Sequence, residues 1–259
     1  MPTSQAKLYF RPQNGLSIEY KYSEWKKSSF SRTGMAAPDQ TSFRTIIDFT
    51  VKSIDHTPDG NRRMEMSIKK INRRCEESVD YETAATLNIR NENMLKDFQG
   101  IAFNILVSPA GKALEFSGYE RIHNDYLKTF FPKELFIGLF ESVCHFLPDS
   151  GAEPGSTWEY NKPTANGDLN ELKSNYNFSD LSLGVATIHT TYAIEQNNLI
   201  QGRSIPMKGS GSGRIDVNFE SGMPIKFNNS IVVGSELNLG GVKVKQETTY
   251  ETNIESSLH

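Results

Sequence analysis

Residues 132–148 read Pro132-Lys133-Glu134-Leu135-Phe136-Ile137-Gly138-Leu139-Phe140-Glu141-Ser142-Val143-Cys144-His145-Phe146-Leu147-Pro148. Leu135, Phe136, Leu139, Phe140, Val143 and Leu147 recur at spacings of three and four, which puts them on one stripe of an α-helix. Pro132 suits the first helical turn, where its missing N–H would find no partner anyway, and Pro148 stops the helix. Glu134 near the start and a charged His145 near the end both suit the helix dipole. Just upstream, Ile122, Tyr126 and Phe130 keep the same spacing and predict a short helix before the Phe131-Pro132 break. About fifteen residues of helix make a rod of about 22 Å, long enough to lie across several strands spaced about 4.8 Å apart. So many bulky side chains on one stripe require an apolar surface to cover.

The rest of the chain supplies one. Ile18, Tyr20 and Tyr22 alternate with Glu19 and Lys21, and Ile47, Phe49 and Val51 with Asp48 and Thr50. The same period of two runs through Met64–Ile68, Phe103–Val107, Ile188–Ile194, Ile215–Phe219, Ile225–Phe227 and Val242–Tyr250. Each such strand has one apolar and one polar face, the pattern of an antiparallel sheet that is wet on one side. Three joints, Thr57-Pro58-Asp59-Gly60-Asn61, Ser108-Pro109-Ala110-Gly111-Lys112 and Glu220-Ser221-Gly222-Met223-Pro224, place glycine where a hairpin turn needs positive φ. The fold class is therefore mainly β, with a single helical insertion packed on the apolar face. One domain over 1–259 is expected, with a first sheet half at 8–119, the helical insertion at 120–148 and a second sheet half at 155–254. A faint internal echo supports two halves: Gly15–Tyr20 resembles Gly155–Tyr160, and Gly100, Leu106, Gly111, Leu114 and Phe116 reappear in order as Gly211, Val217, Gly222, Ile225 and Phe227.

Composition narrows the function by exclusion. With 37% hydrophobic and 23% charged residues the 259-residue chain can bury a sizeable core. Its net charge of −3, with both signs mixed, lacks the basic excess that a nucleic-acid partner would call for. No apolar run approaches the roughly 20 residues that cross a bilayer, so no membrane span is expected. Oligomeric state is not legible.

No constellation of residues spells catalysis. His56, His123, His145, His189 and His259 stand singly, outside any metal-ligand spacing, and there is no GxSxG elbow. Cys75 and Cys144 form no CxxC or CxxH pattern and read as two buried thiols, with pairing left open. Gly209-Ser210-Gly211-Ser212-Gly213 lacks the Lys-Ser/Thr ending of a phosphate loop and precedes a strand, so a flexible lead-in to that strand is expected. No catalytic residue, metal or cofactor is assigned. The 15 Phe, 10 Tyr and 2 Trp are the unusual asset. They either fill a solid core or line a pocket under the helix.

The opening LYFRPQNGLSIEYKY (8–22), the strand-turn-strand QGIAFNILVSPAGKALEFSG (99–118), the amphipathic helix, the re-entry PGSTWEY (154–160) and GSGSGRIDVNFESGMP (209–224) resemble secreted proteins of unknown function common in Bacteroidota. Their architecture is similar to the LolA and LppX periplasmic lipoprotein-carrier family. The resemblance covers residues 8–254 in pattern and order and carries over no binding residue. It implies a strongly curved antiparallel half-barrel whose helix closes an apolar cavity on the concave face. It also implies a non-catalytic partner of an apolar small molecule or lipid. Leu135, Phe136, Leu139, Phe140 and Val143 are then the ligand-binding lid. The alternatives are an interaction or structural module with a filled core and, last, an enzyme. MPTSQAKLYFRPQNG carries no secretory signal, whereas the resemblance implies export. The expectation is periplasmic or outer-envelope localisation after removal of a leader.

Overall fold

The computed structural model describes residues 7–77, 96–98, 100–162, 172–200, 203–239 and 241–257. Its strands are β1 (Ser17–Arg32), β2 (Asp39–His56), β3 (Arg62–Glu77), β4 (Ala102–Val107) and β5 (Ala113–Ser117). Two helices follow, α1 (Asp125–Phe130) and α2 (Lys133–Cys144). The chain then returns through β6 (Thr157–Lys162), β7 (Leu172–Ser182), β8 (Val185–Ile200), β9 (Arg203–Asn218), β10 (Pro224–Leu239) and β11 (Val242–Ser257).

These eleven strands form one open sheet in the order β5-β4-β3-β2-β1-β11-β10-β9-β8-β7-β6. Every neighbour is antiparallel. The first half walks outward from β1 to the edge at β5. The helices carry the chain to the other edge, and the second half walks back until β11 pairs β1. The mainly β antiparallel class with a helical insertion is therefore as read from the alternation.

The period of two decides which side chains go inside. Ile18 and Tyr20 of β1, Phe49 and Val51 of β2, Met64 and Met66 of β3, and Ile188 of β8 all point to the helix side and are buried. They join Phe136, Phe140 and Val143 of α2 in one continuous core. That side is called the inner face below. In β3 the alternation breaks at Lys69, the extra residue of a bulge between the pairs Asp48↔Lys70 and Phe49↔Ile68. Parity then shifts from even to odd, so that Ile71 and Cys75 are the buried residues beyond it. Cys75 and Cys144 are both buried and are not joined in a disulfide.

Two local expectations are corrected. The helix starts after Pro132, its N-cap, and ends at Cys144, well short of Pro148. The carbonyls of Phe146 and Leu147 are taken instead by Trp158 Nε1 at 2.8 Å and by the Tyr160 hydroxyl at 2.6 Å, so these two residues leave the helix to meet β6. The Gly209–Gly213 stretch is the middle of β9 and no flexible lead-in: it pairs with β8 and β10 throughout. Its glycines stand where side chains do not fit. A Cβ on Gly209 or Gly213 would lie 2.5 or 2.6 Å from a carbonyl oxygen of β10.

Candidate functional site

Helix α2 faces two ways. Phe136, Phe140, Val143 and Cys144 are fully buried, and Phe136 packs on aromatic rings from the first half of the chain. The Phe136 ring centroid lies 4.9 Å from that of Phe103, 5.7 Å from Phe98 and 6.3 Å from Tyr119. This side is solid. On the other side Leu135, Gly138, Leu139 and Ser142, with Phe146 just past the helix, border a cavity of about 160 Å3.

The strand register builds the facing wall in levels. Nearest the helix lie Tyr22, Ile254, Phe227 and Ile215, paired across β1, β11, β10 and β9. The next level is polar: Glu24, Thr252, Asn229, the bare Gly213, Thr190 and Tyr176. Beyond it Tyr250, Ile231 and Tyr192 belong to a second apolar cluster with Ile194 and Val233. The cavity spans the first two levels and reaches the third. Tyr22 donates its hydroxyl to Glu24 Oε2 at 2.9 Å, and Thr190 Oγ1 donates to the Tyr192 hydroxyl at 3.0 Å. Glu141, on the lid side, accepts the Ala113 backbone N–H on Oε1 at 3.0 Å.

Burial sets the phenols' titration. It raises Tyr22 well above the usual tyrosine range, reinforced by Glu24, and raises Tyr192 likewise. Tyr160 and Tyr176 are pushed up to about 12, again mainly by burial. In the unfolded chain these groups ionise near pH 10, at roughly the free value. The unfolded state therefore loses its protons first as the pH rises. Stability from this source is intact below about pH 10 and falls between about pH 10 and 12. Denaturant titrations from pH 8 to 12, with ultraviolet absorbance reporting tyrosinate, check it. Tyrosinate appearing near pH 10 before unfolding at all of these tyrosines contradicts the burial.

Both ends of the sheet reach the same short stretch of chain. The turn from β4 to β5 presses Gly111 against the Cys144 carbonyl, and Ala113 of β5 reaches Glu141. From the opposite edge, Trp158 and Tyr160 of β6 reach Phe146 and Leu147. The amino-terminal stretch straps this end: Leu8 and Ala152 exchange backbone bonds of 2.8 and 2.9 Å, and Arg11 N–H donates to Ser221 O at 2.9 Å.

Of the five residues expected in the lid, Leu135 and Leu139 border the cavity. Phe136, Phe140 and Val143 are drawn together in the solid core beside it. The wall residues Glu24, Asn229 and Thr252 were not picked out from sequence. Their signal was present: each is polar yet in phase with an apolar stripe, as Glu24 is with Tyr20 and Tyr22. The histidines do not converge. His145 Nδ1 is 4.0 Å from Glu141 Oε1, His56 Nε2 is 2.6 Å from an Arg62 nitrogen, and His259 lies outside the described residues. Among the described residues no three His, Cys, Asp or Glu side chains are grouped to hold a metal ion, and no helix is long and apolar enough to cross a membrane.

Helix α2 and part of the facing sheet are also where a sequence family is detected. Residues 124–224 match a family of unknown function, DUF6263. The DUF6263 stretch begins at α1 and runs through β9 to the first residue of β10, taking in α2 and the glycine-bearing strand. No curated protein matches the sequence. Among solved structures, one described under lipid–protein interactions in lipovitellin superposes with a TM-score of 0.54 at 9% identity. The match covers 95% of this chain and 26% of that one, so the chain spans about a quarter of lipovitellin and shares its fold there. DynF, from the dynemicin biosynthesis pathway of Micromonospora chersina, aligns over 100% of this chain and 92% of its own at 8% identity, with a TM-score of 0.24.

Proposed function

We propose that the protein is a non-catalytic binder of an apolar ligand, held between α2 and the inner face of β1 and β8–β11. The observation that carries this reading is the cavity of about 160 Å3 between Leu135, Gly138 and Leu139 on one side and Ile215, Phe227 and Ile254 on the other. Its volume matches that of a benzene-sized guest, for which roughly 150 Å3 suffices. It therefore takes the end of a chain. The remainder would lie along the inner face toward Tyr250, Ile231 and Tyr192. The fold shared with a stretch of lipovitellin, a protein described for its lipid contacts, supports the same ligand class.

The finer architecture belongs to this reading. A flat sheet of eleven strands would be about 48 Å wide, while residues 141–147 span at most about 20 Å. Contacts from both edges to that one stretch support a strongly curved half-barrel with α2 on its concave side, as in the LolA and LppX carriers. The bare inner positions of β9 support it as well, since glycine kinks let a sheet coil sharply. An exported setting, periplasmic or outer-envelope, rests on the resemblance. Fractionation of the native cell that finds the protein in the cytosol would count against it.

The modest volume favours a second reading, a structural or interaction module with a filled core. One variant separates the two. Gly138→Leu places a side chain at the cavity wall while improving helix propensity. Octanol at a hundredfold excess over its Kd should stabilise the wild type by about 2.7 kcal/mol and leave the variant unmoved. Equal responses from both, with native circular dichroism, would leave the filled-core reading standing.

A further inference from the structure

We propose that this cavity selects an amphiphile whose polar end is a primary amine or comparable hydrogen-bond donor, in preference to a fatty-acid carboxylate. The inference rests on the apolar-ligand reading above and adds the chemistry of the ligand's head. Among the described residues, the charged side chains that line the cavity are Glu24 and Glu141, both acidic, one on the sheet wall and one on the lid. No lysine, arginine or histidine lines it. Two neutral lining groups also carry acceptors without a partner of good geometry. Asn229 Oδ1 is a buried acceptor without a hydrogen-bond partner of good geometry, although the Asn229 amide lies beside the Tyr192 hydroxyl. Ser174 is 1% exposed, and its Oγ, although beside Tyr176, makes no hydrogen bond of good geometry. Tyr22 already spends its hydroxyl proton on Glu24. An incoming donor would satisfy acceptors that burial has stripped of water, whereas a carboxylate would add a further anion beside two others.

The levels of the sheet put this chemistry at the right depth. Glu24, Thr252 and Asn229 are adjacent in register, one level from Tyr22, Ile254 and Phe227. An alkyl tail between α2 and that apolar level leaves its head at the polar one. Lys26 stands one level further along β1, with its Nζ 5.5 Å from the centroid of the Tyr250 ring. A cation at that depth makes the choice of sign a question for experiment.

The test compares octylamine, octanol and octanoate at pH 7.5, each below its micelle concentration, by calorimetry on the full chain. Octylamine should bind at least tenfold more tightly than octanoate, with octanol between them. In Glu24→Gln, which keeps an acceptor for Tyr22, the amine's advantage should shrink to less than threefold while octanol is unchanged. Octanoate binding as tightly as octylamine to the wild type overturns the donor preference and leaves the apolar-ligand reading intact. Failure of all three, octanol included, overturns that reading and the preference with it. A wild-type preference that survives intact in Glu24→Gln overturns the assignment to this wall.

Discussion

Phe136→Ala is expected to destabilise the protein by about 3–5 kcal/mol, the range for truncating a phenylalanine in a close-packed core. Phe136 is fully buried, and three aromatic rings surround it: Phe103, Phe98 and Tyr119, with centroids 4.9, 5.7 and 6.3 Å away. They are fixed in turn. Phe98 packs edge-on to Phe131 at 5.0 Å, and the Tyr119 hydroxyl donates to the Phe131 carbonyl at 2.9 Å. The surroundings cannot collapse far into the space left by the ring, which places the cost in the upper part of the range. For a chain of this size that is about 10 °C in Tm. Octanol should not rescue it, because Phe136 belongs to the solid side of α2 and not to the cavity wall. Urea unfolding of Phe136→Ala and Leu135→Ala, with and without octanol, checks both points. A loss below about 1.5 kcal/mol at Phe136, or one that octanol restores, would mean that the space beneath this face of the helix is also accessible.

The contrast between Phe136 and Leu135 also shows how far the sequence could be read. The helical stripe Leu135, Phe136, Leu139, Phe140, Val143 identified a buried face, because a spacing of three and four says which residues share a side. It could not divide that side into a solid half and a hollow half. The division depends on what stands opposite: aromatic rings from β4 and the 96–98 turn against Phe136, and levels containing Gly213 and Thr252 against Leu135 and Leu139. Those partners lie tens of residues away along the chain. Alternation worked for the same local reason, and it failed where a local rule was broken. The bulge at Lys69 hid the continuation of β3 to Ile71 and Cys75. In β7, Ser174 occupies an inner position between Leu172 and Tyr176 and so interrupts the apolar stripe by which a half-buried strand is recognised. The glycines of β9 removed the apolar side chains by which a strand is normally recognised. Glu24, Thr252 and Asn229, polar residues in phase with apolar stripes, are a part of the site that the sequence displayed and that alternation alone did not interpret.

Gly111→Ala should cost about 3 kcal/mol or more, while Gly60→Ala should cost about 1 kcal/mol, although the two positions look alike in sequence. Each is the glycine of a Pro-containing hairpin turn, with φ of +86° and +85°. Each therefore bears the same strain of roughly 1–2 kcal/mol when a Cβ is forced into the left-handed region, partly offset by the lower entropy of the unfolded alanine chain. Space separates them. Nothing lies within 4 Å of a Cβ on Gly60, whereas one on Gly111 would run into the Cys144 carbonyl, stand 2.7 Å from its carbon and come 3.3 Å from Phe10. The obstacle is backbone at the end of α2 and cannot swing aside as a flexible side chain would. To admit the methyl, the turn between β4 and β5 must lift from the helix, weakening the bond from Ala113 N–H to Glu141 that sits at the cavity wall. The excess of Gly111→Ala over Gly60→Ala thus measures the docking of one sheet edge against the helical lid, free of the strain common to both. It should come with faster amide exchange at Ala113 and altered octanol affinity, neither of which Gly60→Ala should show. Equal losses in the two variants would mean that the β4–β5 edge does not rest on the end of α2, and the contact that draws this edge toward β6 would be gone.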